Sequence, residues 1–190
     1  EIFGIIGESG CGKSTLGRLL IRLEEPTSGE IDFYGVSTRK LLDANPEQFH
    51  CLVQSVFQNP FDTFTPSDTI GAIMERPLKL HNIGDSDEER RQICVDALTE
   101  GGLIPAESFL SRYPHELSGG QQQRISILRS MLLKPRFLVV DEPVSMLDVS
   151  VRADIINMFL KLVESHNTSI LFISHDISLI RYASTRVAVM

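Results

Sequence analysis

The sequence lacks several features that would place it in a familiar class. No apolar run approaches the roughly 20 residues needed to cross a bilayer, so any role at a membrane is expected to come through a partner. The three cysteines, Cys11, Cys51 and Cys94, have unrelated spacings, which favour neither a disulfide framework nor a metal site and suit a reducing cytosol. The net charge is −7 without a basic block, so we expect no nucleic acid as the main ligand. The first residues lack the basic region and cleavage site of a signal peptide.

The remaining pattern predicts one domain of mixed structure. The 190 residues, 42% of them hydrophobic, can form one sizeable core. Strand patterns alternate with helix patterns, which predicts an α/β fold with a parallel sheet. The predicted core strands are the largely apolar segments 2–6, 51–57, 137–141, 169–174 and 186–190, and 29–34 is assigned to a side sheet. The predicted helices are 14–22, 87–101, 119–133, 151–164 and 177–183.

The domain organisation follows from where the strand patterns stop. Residues 60–135 contain helical patterns and no strand pattern, so 59–135 is interpreted as a helical subdomain. It is inserted into a core made of 1–58 and 136–190. Both ends of the sequence fall within strand patterns, and a natural chain rarely begins inside its own core sheet. The sequence is accordingly interpreted as truncated at both ends.

The segment Gly7–Thr15 reads Gly-Glu-Ser-Gly-Cys-Gly-Lys-Ser-Thr, between a strand pattern and a helix pattern. This is the phosphate-binding loop pattern, in which glycines let backbone N–H groups point at phosphate oxygens. Lys13 is expected to reach the β- and γ-phosphates, and the Ser14 hydroxyl is expected to ligate Mg²⁺. A chance glycine-rich turn would lack this strand–loop–helix context. The expected nucleotide contacts are Gly7, Ser9, Gly10, Cys11, Gly12, Lys13, Ser14 and Thr15.

A second group of residues follows the apolar segment 137–140, where Asp141 and Glu142 stand together. Ligands of α/β sheets bind at the carboxyl ends of the strands. Asp141 is suited to hold Mg²⁺, and Glu142 is suited to take a proton from the attacking water. Alone, such a pair is often an ordinary strand end. Together with the phosphate-binding loop, it predicts a catalytic site.

A third segment, Leu117–Arg124, reads Leu-Ser-Gly-Gly-Gln-Gln-Gln-Arg. Ser118 stands where a helix N-cap is expected, and Gly119 and Gly120 leave backbone N–H groups uncovered at that terminus. This predicts a second anion site. In isolation, a helix cap followed by flexible glycines would explain the segment equally well.

These segments, with Gln58, Ser145–Asp148 and His175, occur in the order found in the ATP-binding cassette (ABC) ATPases. The resemblance covers essentially the whole chain, and the Ser-Gly-Gly-Gln signature is specific to that superfamily. It implies a P-loop NTPase (RecA-like) parallel-sheet core with an inserted helical subdomain. It also implies that ATP and Mg²⁺ are bound and that ATP is hydrolysed.

The resemblance assigns roles to three further residues. Gln58 is similar to the family glutamine that senses Mg²⁺ and the attacking water, so it is expected among both the metal ligands and the catalytic residues. His175 resembles the switch histidine that hydrogen-bonds the γ-phosphate and positions Glu142, although a lone histidine after a strand is more often structural. Asp148 resembles an aspartate at the dimer interface.

Dimerisation is implied as well. Two ABC domains pair head-to-tail, so the signature of one chain closes on ATP held by Lys13 of the other. The signature residues expected at the nucleotide are Ser118, Gly119, Gly120 and Gln121. A monomer is therefore expected to be nearly inert. Met146 departs from the small residue usual in the family, for which we expect a packing change and no loss of activity. The adenine-stacking aromatic of the family would precede Glu1, so this segment is expected to bind ATP more weakly than the intact protein.

Local sequence indicates a subfamily. Segments 58–71, 75–81 and 141–151 resemble the oligopeptide/dipeptide/nickel importers. This implies transmembrane permease subunits, a second ABC ATPase (identical or paralogous), an indirect link to a solute-binding protein and a peripheral location on the cytoplasmic face of the membrane. Phe61, Phe64 and Ile70 are candidate permease contacts or ordinary core residues. The alternative function is an accessory ATPase of carbon–phosphorus lyase, which does no transport.

Overall fold

The computed structural model describes residues 1–57, 64–145 and 147–190, which form two compact units. The first unit comprises Glu1–Ser55, Pro135–Glu142 and Val163–Met190. The second comprises Val56–Lys134 and Pro143–Leu162. It therefore includes 143–162, which the sequence analysis assigns to the core.

The sheet of five strands has the order β4-β5-β6-β1-β7. Strand β6 pairs in parallel with β5 and β1, and β1 pairs in parallel with β7. In register, Ile2 lies opposite Ile170, and Leu138 also lies opposite Ile170. A separate antiparallel pair joins β2 and β3, within and just after the predicted side-sheet segment. The strands are β1 (Ile2–Ile6), β2 (Asp32–Phe33), β3 (Val36–Ser37), β4 (Val53–Val56), β5 (Phe137–Asp141), β6 (Ser169–Ile173) and β7 (Arg186–Val189).

The central strands confirm the interpretation of uninterrupted apolar runs. Leu138, Val140 and Ile173 are fully buried. Parallel strands covered on both faces have no polar side to alternate with, which is why these runs contain no regular polar positions. The predicted α/β parallel sheet is therefore confirmed.

The prediction of a strand over 51–57 is wrong at its beginning, because a helix ends at Leu52. Pro46 occupies the first turn of that helix, and the side chain of Asn45 accepts a hydrogen bond from the Gln48 N–H at 3.0 Å. Such a cap satisfies an N–H group that has no acceptor within the helix. The Asn-Pro start signal therefore outweighs the apolar character of Cys51 and Leu52.

Nine α-helices complete the part of the chain that the structure describes. They are α1 (Lys13–Leu20), α2 (Thr38–Ala44), α3 (Pro46–Leu52), α4 (Ile70–Leu80), α5 (Asp87–Glu100), α6 (Ala106–Leu110), α7 (Gly119–Met131), α8 (Val149–His166) and α9 (Ile177–Ala183). In the second unit, α4 buries Ile70, Ile73, Met74 and Leu78 and contacts α5, α6 and α7. Of the helices in the described residues, none is both long and apolar enough to cross a membrane.

Candidate functional site

The loop between β1 and α1 is shaped by glycines. Gly10 and Gly12 adopt φ angles of 84° and 102°, in the left-handed region that favours glycine. Gly12 is the N-cap of α1 and has no side chain to cover the helix terminus. The first N–H groups of α1 therefore have no acceptor within the helix and remain suited to bind an anion.

The side chain of Lys13 lies inside this loop and is hydrogen-bonded to its backbone. Its side-chain Nζ donates to the backbone oxygens of Gly7 at 2.9 Å and Glu8 at 2.7 Å, and lies 3.6 Å from Cys11 Sγ. The residue is only 8% exposed. A Cβ atom at Gly7 would lie 2.6 Å from the backbone oxygen of Met190, so a side chain there would force the backbone apart. The ammonium group is thus held in place before any phosphate arrives.

Asp141, the last residue of β5, provides oxygen ligands beside the loop. Its carboxylate lies beside the side chain of Ser14, and its buried Oδ1 has no hydrogen-bond partner. Burial raises the pKa of Asp141, the nearby Glu142 carboxylate raises it further, and the side chain of Ser14 lowers it. An unpaired carboxylate oxygen next to a hydroxyl fits Mg²⁺, which prefers hard oxygen ligands.

Glu142 and His175 form a contact between the ends of β5 and β6. The Glu142 N–H donates to the Ile173 backbone oxygen at 3.0 Å, and Glu142 has a φ of 50°. Its Oε1 accepts from the His175 backbone N–H at 2.8 Å and lies 2.7 Å from His175 Nδ1. Since a carboxylate can only accept, Nδ1 carries the proton. The glutamate side chain is 15% exposed and the histidine ring 67% exposed, so the ring can be reached from solvent.

The signature segment begins α7 with reciprocal hydrogen bonds. Ser118 Oγ accepts from the Gln121 N–H at 3.3 Å, and Gln121 Oε1 accepts from the Ser118 N–H at 3.0 Å. This capping box fixes the terminus while Gly119 and Gly120 leave their own N–H groups uncovered. A Cβ atom at Gly120 would lie 2.7 Å from Val151 Cγ1, so α8 leaves no room for a side chain there.

Asp148 lies next to the signature through this packing. Its backbone oxygen accepts from the N–H groups of Val151 and Arg152 at 3.0 Å, which begins α8. Its side chain is exposed. The residue before it, Leu147, lies near the signature as well: a Cβ atom added at Gly119 would be 3.5 Å from Leu147 Cδ2, an ordinary contact.

Each unit therefore gathers one set of the predicted site residues. The first unit contains the loop Gly7–Thr15 with Asp141, Glu142 and His175. The second contains Ser118–Gln121 and Asp148. Gln58, Phe61 and Met146 lie outside the described residues.

Two observations go beyond the sequence patterns. Phe64 and Ile70 are 4% and 0% exposed, which favours core packing over permease contact for both. Gln122 and Gln123 are each only 1% exposed, although the sequence analysis gives them no role. The signal for them is position alone, since α7 is buried along most of its length.

Comparisons with known proteins give one consistent result. The family model described as ABC transporter matches residues 1–145. The oligopeptide transport ATP-binding protein AppF of Bacillus subtilis (strain 168) is 46% identical over 191 residues, covering 100% of this chain and 57% of AppF. The dipeptide transport ATP-binding protein DppF of Escherichia coli (strain K12) is 43% identical over 193 residues, covering 100% of this chain and 56% of DppF. The chain thus spans little more than half the length of these curated relatives.

A solved structure agrees with this result. The ATP-binding cassette MJ0796, described as a dimeric post-hydrolysis state bound to ADP and Pi, matches with a TM-score of 0.86 and 31% identity. The match covers 100% of this chain and 81% of that one. The predicted family and fold are confirmed, and the chain belongs to the ABC transporter family.

Proposed function

We propose that this chain is the nucleotide-binding domain of an ATP-hydrolysing subunit that powers an ABC importer for peptides or a related solute. The observation that carries the ATPase proposal is the grouping of Lys13, Ser14, Asp141, Glu142 and His175 in one unit. The names of AppF and DppF support peptide transport.

Each group has a defined task in binding ATP. The ammonium of Lys13 and the first N–H groups of α1 bind the triphosphate, since both are preformed and carry no competing anion. Ser14 and Asp141 are the residues that would hold Mg²⁺, together with Gln58 as the sequence predicts. When bound, Mg²⁺ would neutralise charge on the phosphate oxygens. The unpaired Oδ1 of Asp141 supports this assignment.

The Glu142–His175 contact supports assignment of the base. His175 holds Oε1 of Glu142 through its backbone N–H and its ring, so the carboxylate has a fixed direction at the end of β5. In that position Glu142 would accept a proton from the water that attacks the γ-phosphate, and the exposed His175 ring would hydrogen-bond the same phosphate.

Hydrolysis also requires a second copy or a paralogous ABC ATPase in this proposal. Ser118–Gln121 and Asp148 of one chain would close on ATP held by the loop of the other, head to tail. The uncovered N–H groups at the start of α7 are the chemical basis, because they suit a phosphate. The dimeric description of the MJ0796 cassette supports the arrangement. The pair would sit on permease subunits at the cytoplasmic face of the membrane and respond indirectly to a solute-binding protein.

The substitution Glu142→Gln tests this proposal in the full-length protein. It keeps the side-chain shape and removes the base, so hydrolysis should fall about 100-fold or more. ATP should still bind and should now trap a dimer, which analytical ultracentrifugation with ATP and Mg²⁺ can detect. The matched control is Lys13→Ala in the same background, which should stay monomeric because the triphosphate is not held. A protein that remains monomeric at saturating ATP with Glu142→Gln alone would contradict the head-to-tail mechanism.

A further inference from the structure

The carboxamide of Gln122 is buried directly behind the signature. Its Nε2 donates to the backbone oxygen of Pro114 at 2.8 Å and to that of Leu117 at 3.3 Å. Its Oε1 is buried and has no hydrogen-bond partner. An amide nitrogen has two hydrogens, so both donors are used while the acceptor is idle. The opposite orientation of the amide would point an acceptor at two acceptors, which fixes the assignment.

The two carbonyl groups belong to the segment that leads into the signature. Pro114 begins a 3₁₀ turn, Pro114–Glu116, which is closed by the Glu116 side chain accepting from the Tyr113 N–H at 2.7 Å. Leu117 follows the turn and immediately precedes Ser118. Gln122 therefore ties the first turns of α7 back to the chain that enters them.

The peptide group between Leu117 and Ser118 is hydrogen-bonded on both sides by side chains of α7. In the peptide between Leu117 and Ser118, the oxygen accepts from Gln122 Nε2, and the N–H donates to Gln121 Oε1 at 3.0 Å. Both polar atoms of that peptide are thus held by consecutive side chains of α7. The orientation of this peptide sets where the Ser118 hydroxyl and the N–H groups of Gly119 and Gly120 point.

We propose that Gln122 is a positioning residue for the signature, acting through its two donated hydrogen bonds. This rests on the proposed function, in which the signature closes on ATP held by a second chain. Loss of the donors would remove the side-chain hydrogen bond to the Leu117 oxygen, leave the Pro114 oxygen with the Leu117 N–H at 3.1 Å, and let the Leu117–Ser118 peptide turn. Pairing driven by ATP should weaken, whereas ATP binding by the loop Gly7–Thr15 should not change, because Gln122 contributes nothing to that loop.

The test uses the full-length protein with Glu142→Gln, in which ATP traps the pair. Gln122→Met keeps the length of the side chain and removes the donors. Gln122→His can present one neutral N–H donor near the same point and lacks the carboxamide acceptor, which has no partner to lose. The matched control is Gln92→Met on α5, where an exposed glutamine donates to Asp96 at 2.8 Å. The measurements are the dissociation constant of the ATP-bound pair by ultracentrifugation and the affinity of the monomer for a fluorescent ATP analogue.

We expect Gln122→Met to weaken each composite site about tenfold, which is about 1.4 kcal/mol, and a pair with two such sites about a hundredfold. Gln122→His, which keeps one donor, should weaken pairing clearly less than Gln122→Met does, and monomer affinity should be unchanged in every variant. Should Gln122→Met not be recovered folded, Gln122→Asn gives the same comparison, because its amide is one methylene too short to reach both carbonyl groups.

If the parent pairs, three outcomes would overturn the proposal. Equal pairing by the Gln122→Met variant and its parent would mean that the hydrogen bonds position nothing. Equal weakening by Gln122→Met and Gln122→His would mean that shape matters and donors do not. Parallel losses of pairing and of analogue affinity would mean a general structural defect. A parent that does not pair at all overturns the proposed function as well, and so separates the two failures.

Discussion

At the scale of single residues, the carboxyl group of Asp141 lies where its charge is disfavoured. Burial raises its pKa above the ordinary value of 3.8, and Glu142 adds to that effect. The folded protein therefore holds the proton more tightly than the unfolded chain does. The contribution of this group to stability is greatest below the unfolded pKa and is lost as the pH rises through the folded pKa. At neutral pH the free protein thus carries a destabilising charge that Mg²⁺ would relieve.

The substitution Asp141→Asn should therefore stabilise the nucleotide-free protein while removing the proposed metal ligand. At neutral pH in a chelator, we expect a melting temperature about 2 °C above that of the wild type, as a gain of roughly 0.5–1 kcal/mol would give. The gain should shrink as the pH falls through the pKa of Asp141, because the wild-type carboxyl group then becomes neutral. Thermal melts across a pH series measure this. Mg²⁺ added together with ATP should raise the melting temperature of the wild type, and it should raise that of the variant less.

The control for that series is Asp43→Asn on α2, which removes an exposed carboxylate and should change little. A lower melting temperature for Asp141→Asn at neutral pH would contradict the account. It would mean that the effect of the Ser14 side chain on the pKa outweighs that of burial.

At the scale of elements, the start of α7 packs closely against α8 at Gly120. Gly120→Ala would place a methyl group 2.7 Å from Val151 Cγ1, closer than carbon atoms approach. We expect a loss of about 1–3 kcal/mol in the free energy of unfolding, although alanine is otherwise preferred over glycine in a helix. Adding Val151→Ala should recover much of that loss, since it removes the opposing methyl group. Denaturant unfolding of both single variants and the double variant measures the coupling.

Gly119→Ala is the matched control, because its added methyl group would meet Leu147 at an ordinary 3.5 Å. Its stability should stay within about 0.5 kcal/mol of the wild type. If the losses of Gly120→Ala and Val151→Ala simply add in the double variant, the close contact with Val151 is not what excludes a side chain at Gly120.

How far the sequence could predict this molecule also differs between elements. The apolar runs of β1, β5 and β6 and helix α9 were predictable, because burial on both faces and clear start signals leave strong local patterns. Helix α3 was missed because an apolar stretch at its end resembles a strand. Helix α4 was missed although Thr69 caps it, since its interior contains Pro77, which usually ends a helix.

For the candidate site, the sequence indicates residue types and their order, while the contacts depend on packing. No local pattern predicts that His175 engages Glu142 through both its ring and its backbone, because 33 residues separate them. The same holds for Gly120 and Val151, which approach only when α7 and α8 pack. Gln122 is one of three consecutive glutamines, and nothing in the sequence distinguishes the one whose side chain reaches Pro114 and Leu117.

At the scale of the whole molecule, the proposed chemistry is divided between two surfaces that belong to different units. The residues expected to hold ATP are in the first unit, and the signature is in the second. In a head-to-tail pair, the ATP-holding residues of each chain would face the signature of the other, which gives two composite sites. The proposal therefore requires a partner cassette for hydrolysis and permease subunits for transport.

The membrane partner can be tested by tagging the full-length protein in its source cells and purifying it gently in mild detergent. If the protein powers import, two multi-spanning permease subunits should co-purify in amounts comparable to the tagged chain, with or without a second ABC ATPase. An untagged strain carried through the same steps controls for non-specific membrane protein. Recovery of a soluble enzyme assembly without permeases would contradict import and favour the accessory ATPase alternative. In that case the ATP-driven pairing tested with Glu142→Gln would still hold, because the fold and the nucleotide chemistry are common to both functions and only the docked partner differs.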